Sequence, residues 1–190
     1  MKKRIVIVHG WDGGSDKDWM PWATEALRAR GYDVVCPSFP HPENPTMEDW
    51  VPFLASRVGK PDRNTYLIGH SIGCQTIIRY LETIGAPVGG VIFVAGWFDL
   101  QNLEGPEAED IARPWIERPI DLAKVRANLP KSVAILSDND PFVPYDEARR
   151  DFAEKLGSEV VTMTSAGHVT SDDGHGPFPL LVETFEANFK

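Results

Sequence analysis

Five consecutive residues, Gly69-His70-Ser71-Ile72-Gly73, have a spacing that can expose a serine for nucleophilic attack. They follow an apolar, strand-like run at residues 66–68 and open a segment of helical period. A serine in this position lies on a tight turn, where glycine two places away on either side avoids a steric clash. It also lies at a helix N-terminus, which favours developing negative charge. We therefore predict that Ser71 is a catalytic nucleophile; the competing interpretation is a serine that only caps the helix.

A serine hydroxyl is a poor nucleophile until a base takes its proton. In this type of site the acid and then the histidine follow the serine along the chain. Three of the five histidines come too early: His9, His41 and His70. His168 lies in a short loop after the apolar run 159–163 and before the last helical segment, so we predict that it is the base. His175, seven residues later, is the alternative.

The acid should follow the apolar run at residues 133–136, where the chain reads Ser137-Asp138-Asn139-Asp140-Pro141. We favour Asp140, because Pro141 fixes the backbone directly after it. Its role would be to hold the imidazole tautomer and to stabilise the imidazolium, without taking the proton. Asp138 is the alternative acid, or it holds the turn through Asx-type hydrogen bonds.

A tetrahedral acyl intermediate needs two N–H donors aimed at its oxyanion. We predict that one is the backbone N–H of Ile72, directly after the nucleophile, and that the other is the N–H of Trp11. Trp11 belongs to the glycine-rich segment His9-Gly10-Trp11-Asp12-Gly13-Gly14, which follows the first strand-like run. The competing interpretation is that these glycines only form a turn. A phosphate-binding loop is a weaker interpretation, because the segment lacks the Gly-x-Gly-x-x-Gly spacing.

A metal site is a further alternative, since four possible ligands fall within eight residues: His168, Asp172, Asp173 and His175. Their spacing has no helical register such as His-Glu-x-x-His. We therefore expect neither a metal nor another cofactor.

Composition limits the possible partners. The net charge of −9 argues against nucleic acid, since phosphate binding needs a basic surface. The early basic cluster Lys2-Lys3-Arg4 is followed by only four apolar residues, too few for a signal peptide or a membrane span. Cys36 and Cys74 form neither a zinc spacing nor a disulfide framework. We expect one domain over residues 1–190, located in the cytoplasm, with no membrane or nucleic-acid partner; the chain does not indicate its oligomeric state.

Short apolar runs alternate with helical segments. The predicted strands are residues 5–8, 33–36, 66–68, 91–94, 133–136 and 159–163, and the predicted helices include residues 72–84, 145–156 and 178–189. Asp18 is the expected cap of the first helix, and Thr46 with Asp49 resembles a capping box ahead of a helix that contains Pro52. The alternation predicts an α/β fold with a mainly parallel sheet of about six strands and helices on both faces.

One long stretch, residues 97–129, departs from this alternation with glycine, proline and acidic residues and two short helical pieces. An excursion of this kind after a strand often forms a lid or part of a binding site. We predict that Trp97 and Trp115, with Phe98 and Trp11, line a small apolar acyl pocket beside Ser71. Ordinary core packing is the alternative for each tryptophan.

The chain resembles the small serine hydrolases grouped with retinoblastoma-binding protein nine, including the bacterial YdeN-like members. The resemblance covers nearly the whole chain. It is carried by His9-Gly10 and the following glycines, by Gly69-His70-Ser71-Ile72-Gly73, by Arg113-Pro114-Trp115, by Asp140-Pro141-Phe142-Val143-Pro144 and by Gly167-His168. The serine motif is shared by very many hydrolases, whereas the Arg-Pro-Trp and Asp-Pro-Phe-x-Pro pieces are much more specific.

This resemblance implies a compact α/β-hydrolase fold with little or no cap, and a triad at Ser71, Asp140 and His168. The Leu-x-Cys-x-Glu motif associated with retinoblastoma binding is absent, so we expect no such partner. The expected function is serine hydrolysis of a small-molecule acyl substrate, a carboxylic ester first among several acyl bonds. Two alternatives stay open: a catalytically weak hydrolase-fold protein that acts as a binding or regulatory module, and acyl transfer to an acceptor other than water.

Overall fold

The computed structural model describes residues 2–190 and contains one parallel six-stranded sheet. The strands are β1 (Arg4–Val8), β2 (Asp33–Val35), β3 (Thr65–His70), β4 (Gly90–Val94), β5 (Ser132–Ser137) and β6 (Glu159–Met163). Their order across the sheet is β2-β1-β3-β4-β5-β6, and every neighbouring pair is parallel. The predicted α/β class, strand number and strand positions are confirmed.

Helices cover both faces of the sheet. They are α1 (Met20–Ala29), α2 (Met47–Val58), α3 (Ile72–Leu81), α4 (Gly105–Glu117), α5 (Leu122–Asn128), α6 (Tyr145–Leu156) and α7 (Pro179–Phe189). Alternate side chains of β1 show the two layers: Ile5 and Ile7 pack with α1 and α7, whereas Val6 and Val8 pack with α2 and α3. The central strands are apolar throughout because both of their faces are buried.

Helix α6 has the bounds predicted from the sequence, whereas the other helix ends agree with it only in part. Thr46 caps α2, its hydroxyl accepting a hydrogen bond from the N–H of Asp49 at 3.2 Å. Asp18 does not cap α1 as predicted; Trp19 occupies the cap position, and the Asp18 carboxylate instead accepts hydrogen bonds from Ser171. Helix α3 ends at Leu81, short of the predicted residue 84.

The excursion after β4 is more regular than predicted. Its first helix, α4, has 13 residues and continues through Pro114, and the shorter α5 has seven. These elements lie between β4 and β5 in the chain, so the excursion leaves the sheet at the end of β4, the neighbour of the strand whose end carries Ser71, and re-enters at β5 on the other side of β4. Among residues 2–190, no helix combines the length and the apolar character needed to span a membrane.

Candidate active site

Ser71 lies on the turn between β3 and α3, with φ +52° and ψ −120°. A positive φ is unusual for a residue with a side chain, and it is maintained here by close packing. A Cβ added at Gly69 would lie 2.8 Å from the main-chain nitrogen of Cys74, and one at Gly73 would lie 2.5 Å from the carbonyl oxygen of Val8. The two glycines of the motif therefore let the strand, the turn and the helix approach one another around the serine.

Ser71, His168 and Asp140 form a continuous hydrogen-bonded chain. The Ser71 hydroxyl donates to Nε2 of His168 over 2.9 Å, and Nδ1 of His168 donates to Oδ2 of Asp140 over 2.8 Å. Nδ1 must carry the hydrogen, because an ionised carboxylate only accepts. Nε2 is then free to take a proton from the serine, which is the tautomer that base catalysis requires.

Asp140 is fixed by its own backbone neighbours. Its other oxygen, Oδ1, accepts the N–H groups of Phe142 at 2.9 Å and Val143 at 3.1 Å. The Asp140 side chain is only 1% exposed, compared with 14% for His168. These contacts aim Oδ2 at the histidine and fix which oxygen receives its hydrogen bond.

Asp138, the alternative acid, makes a different set of hydrogen bonds. Its Oδ1 accepts the N–H of Ser165 at 2.8 Å, and its own N–H donates to the Met163 carbonyl. It therefore joins the loops that follow β5 and β6, and it makes no hydrogen bond to a histidine ring. The other alternative, His175, packs against Phe178 at the start of α7 and is not bonded to Ser71.

The loop that carries His168 is organised by Asp173. The Asp173 carboxylate accepts the N–H groups of His168 and Thr170 and the Thr170 hydroxyl at 2.7–3.1 Å. Burial raises the pKa of Asp173, but these hydrogen bonds to the ionised form outweigh it and lower the pKa overall. An ionised Asp173 thus holds the backbone on which the histidine stands.

His70, next to the serine, also holds the loop that carries His168. Its Nε2 donates to the main-chain carbonyl of His168 over 2.9 Å, and its ring packs at 5.2 Å from the His168 ring and 5.7 Å from that of Trp19. Burial, followed by the repulsion of a charged His168, lowers the pKa of His70 to about 4. The His70 ring is therefore neutral at neutral pH.

His9 fixes the glycine-rich loop after β1. Its Nε2 accepts the N–H of Phe39 at 2.8 Å, so Nδ1 carries the hydrogen and donates to the Gly10 carbonyl at 2.7 Å. Burial lowers the pKa of this fully enclosed ring, despite the opposing effect of the bond to Gly10. The sequence order alone set His9 and His70 aside as bases and gave no positioning role to either.

The N–H groups of Trp11 and Ile72, predicted to bind an oxyanion, have no hydrogen-bond acceptor among the described residues. The Trp11 loop is closed by two other bonds, from Gly13 to the Gly10 carbonyl and from Asp12 to the Pro42 carbonyl. Ile72 is the first residue of α3, where N–H groups have no partner within the helix.

A cavity of about 520 Å³ opens onto Ser71 and His168. Its wall combines apolar with acidic side chains. The lining residues are Gly10, Trp11, Asp12, Asp18, Glu43, His70, Ser71, Leu100, Leu103, Glu104, Glu107, Ala108, Ile111, Phe142, His168 and Thr170. The excursion supplies much of one side through Leu100, Leu103 and the first turns of α4.

A family model described as serine hydrolase matches residues 5–187, nearly the whole chain. The chain belongs to this serine hydrolase family. Its similarity to the YdeN and retinoblastoma-binding groups, expected from short motifs, is confirmed by the relatives.

Two relatives match along almost their whole length. The YdeN hydrolase of Bacillus subtilis is 28% identical over 191 residues, covering 100% of this chain and 97% of the relative. The serine hydrolase RBBP9 of Rattus norvegicus is 30% identical over 176 residues, covering 90% of each. The crystal structure of the Bacillus subtilis ydeN product superposes with a TM-score of 0.88 at 26% identity and covers 98% of both chains.

More distant structures share the fold. Est1E of Butyrivibrio proteoclasticus, in a structure with bound ferulic acid, has a TM-score of 0.73 at 17% identity and covers 97% of this chain and 86% of its own. At this identity the likeness concerns the α/β-hydrolase fold alone. This serine hydrolase therefore has both the family and the architecture that its sequence indicated.

The prediction that Trp97 and Trp115 line a pocket beside Ser71 is wrong. Trp97 and Trp115 are each only 1% exposed and belong to the core between the sheet and α3. Nε1 of Trp115 donates to the Pro45 carbonyl at 3.0 Å, which ties α4 to the loop before α2. Neither tryptophan lines the Ser71 cavity, and of the aromatic residues predicted there only Trp11 does so.

The residues that do line the cavity carried weak sequence signals. Phe142 follows Asp140 within the Asp-Pro-Phe-x-Pro piece, and its ring packs edge-on at 5.3 Å from the His168 ring. Leu103 and Ile111 belong to an acidic segment whose helical period could not tell which face would meet the serine. In the part of the chain that the structure describes, no cluster of three or more potential ligands could hold a metal ion.

Proposed function

We propose that this family member cleaves a carboxylic ester through a triad of Ser71, His168 and Asp140 and a covalent acyl-enzyme. The observation that carries the proposal is the pair of hydrogen bonds, 2.9 Å and 2.8 Å long, that joins the three side chains in the order required for base catalysis. The open cavity beside Ser71 gives a small acyl substrate access to the hydroxyl.

In the first half-reaction Ser71 Oγ attacks the acyl carbonyl carbon while its proton passes to Nε2 of His168. The carbonyl electrons move to oxygen, and the resulting oxyanion accepts the N–H groups of Trp11 and Ile72. The positive imidazolium is stabilised by the buried Asp140 carboxylate. His168 then gives its proton to the leaving alkoxide, so that the alcohol departs and the acyl group stays on Ser71.

In the second half-reaction water takes the place of the alcohol. His168 removes a proton from water, hydroxide adds to the acyl-serine, and the same two N–H groups hold the second oxyanion. The proton returns to Ser71 Oγ as the carboxylic acid leaves. The positive φ of Ser71 supports this use of the hydroxyl, because a nucleophile elbow lifts the side chain clear of the strand and aims it at the cavity.

The ester is favoured over the amide by the leaving group. A single histidine must protonate it, and an alkoxide departs from a tetrahedral intermediate with less assistance than an amide nitrogen. The glycine-rich loop, the serine turn and the loops after β5 and β6 also supply their functional groups at one edge of a parallel sheet, where ligands of open α/β folds bind.

The test is steady-state hydrolysis of a series of 4-nitrophenyl esters of increasing acyl length by the purified chain. We expect kcat/KM to fall by at least about 10³ in Ser71→Ala and in His168→Ala. The matched control is Ser165→Ala, a loop serine whose side chain makes no hydrogen bond within residues 2–190. Hydrolysis that survives in Ser71→Ala would overturn the proposal, and a well-folded chain with no turnover of any ester would favour the binding module instead.

A further inference from the structure

The wall of the Ser71 cavity carries one sign of charge. Five carboxylate residues line it: Asp12, Asp18, Glu43, Glu104 and Glu107. No lysine or arginine of residues 2–190 lines it, although the chain as a whole has 19 basic to 28 acidic side chains. Lys17 donates to the main-chain carbonyl of Asp12 at 2.5 Å, outside the lining. The cavity is therefore more acidic than the average composition of the chain.

The five acidic residues of the lining come from three separate segments of the chain. Two belong to the loop after β1, one to the loop after β2, and two to the start of α4. They do not converge on one point, and no group of three potential ligands for a metal exists among the described residues. Their effect is thus a negative potential over the whole opening, which attracts a cationic molecule to the serine.

Aromatic and apolar surface accompanies this charge. The Trp11 ring is oriented by the bond from its Nε1 to the Glu43 carbonyl at 3.1 Å, and the Phe142 ring is held edge-on against His168. Both rings line the cavity. Aromatic rings combined with nearby carboxylates favour organic ammonium groups, because the ring face attracts a weakly hydrated cation. A phosphate or carboxylate on the substrate would meet five like charges and no lysine or arginine of the wall.

We propose that the substrate of the Ser71 site is an ester bearing an ammonium or quaternary ammonium group, and that the acidic wall discriminates against anionic esters. This inference rests on the proposed function, since it assigns a substrate class to the same nucleophile. The five carboxylates raise the rate at which a cationic substrate associates and stabilise it once it is bound, while the triad performs the chemistry.

The test uses two fluorophosphonates that are identical except for their end group, trimethylammonium in one and tert-butyl in the other. The two groups have nearly the same shape and differ in charge. The measured quantity is the ratio of the second-order rate constants for labelling the chain, each divided by the reactivity of the probe with hydroxide. We expect a ratio of about ten at low ionic strength, falling towards about two in 1 M NaCl as the charges are screened.

Two variants on the same helix sharpen the test. Glu107→Gln should lower the ratio about twofold, since one unit charge at roughly 8 Å in a water-like medium changes an association constant by that factor. Glu109→Gln removes a charge that lines a neighbouring cavity and should lower the ratio less than Glu107→Gln does.

The outcomes separate this inference from the proposed function. Labelling by both probes at an equal rate, or a preference that neither salt nor Glu107→Gln reduces, would overturn the cationic substrate class and leave the Ser71 nucleophile intact. Absence of labelling by either probe would overturn the nucleophile itself and, with it, the substrate class.

Discussion

Replacing Asp140 by asparagine should abolish most activity while preserving the fold, and the structure dictates how. Oδ1 of residue 140 accepts two main-chain N–H groups, from Phe142 and Val143. An asparagine can keep both bonds only if its amide oxygen stays in that position. Its NH₂ group then faces Nδ1 of His168, 2.8 Å from the present Oδ2.

A donor in that position reverses the histidine tautomer. Nδ1 must accept, so the hydrogen moves to Nε2, which then donates to Ser71 and can no longer take its proton. The same exchange in a serine protease lowers kcat about 10⁴-fold, or roughly 5 kcal/mol of activation free energy. We expect a loss of that order for Asp140→Asn, with a melting temperature near that of the wild type because the two main-chain bonds survive.

The assay is hydrolysis of a 4-nitrophenyl ester at pH 7.5, together with thermal unfolding followed by circular dichroism. The matched control is Asp138→Asn, since an asparagine oxygen can still accept the Ser165 N–H. Its activity should stay within about twofold of the wild type. If Asp140→Asn retained more than a tenth of the activity while Asp138→Asn lost it, Asp138 and not Asp140 would be the acid that orients His168.

Three further predictions concern the surroundings of the triad. In the unfolded chain His70 takes a proton below about pH 6.5, whereas in the folded protein its pKa is about 4, so the free energy of unfolding should fall by up to roughly 3 kcal/mol as the pH falls through this window. Denaturant titrations at several pH values should show a smaller fall for His70→Gln. Gly73→Ala places a Cβ 2.5 Å from a main-chain carbonyl oxygen of β1, so the rate of ester hydrolysis should drop at least about 100-fold. Gly85→Ala, with nothing within 4 Å of its Cβ, should keep the wild-type rate in the same assay. Trp115→Phe removes the hydrogen bond to Pro45 and should lower the free energy of unfolding by about 1–3 kcal/mol. The ratio of the labelling rates of the two fluorophosphonates should not change; a changed ratio would show that Trp115 contacts the substrate.

The strands and the order of catalytic candidates were predictable because both depend on local pattern. Residues 133–136 are apolar without a break, which indicates a strand buried on both faces, and β5 extends only one residue further at each end. The predicted positions of Asp140 and His168 then followed from which strand each residue succeeds. Chain order alone could not decide between Asp138 and Asp140; the hydrogen bonds of each carboxylate separate them geometrically.

The cavity wall was not predictable because it depends on tertiary packing. Trp115 and Ile111 lie on the same helix, yet the first faces the core and the second faces the cavity. Helical period places the two side chains one turn apart on nearly the same face, but it does not give where along α4 that face passes from the core to the cavity. Asp18 failed as a helix cap for a related reason, because Ser171, which is distant in sequence, offers its carboxylate two donors.

The most direct test of the central claim is labelling by a fluorophosphonate followed by peptide mass spectrometry to locate the modified residue. We expect one adduct, on Ser71, formed by the wild type, absent from Ser71→Ala, and formed much more slowly by His168→Ala, which keeps the hydroxyl but lacks its base. An adduct on any other residue, or a folded wild type that forms none, would contradict an activated Ser71.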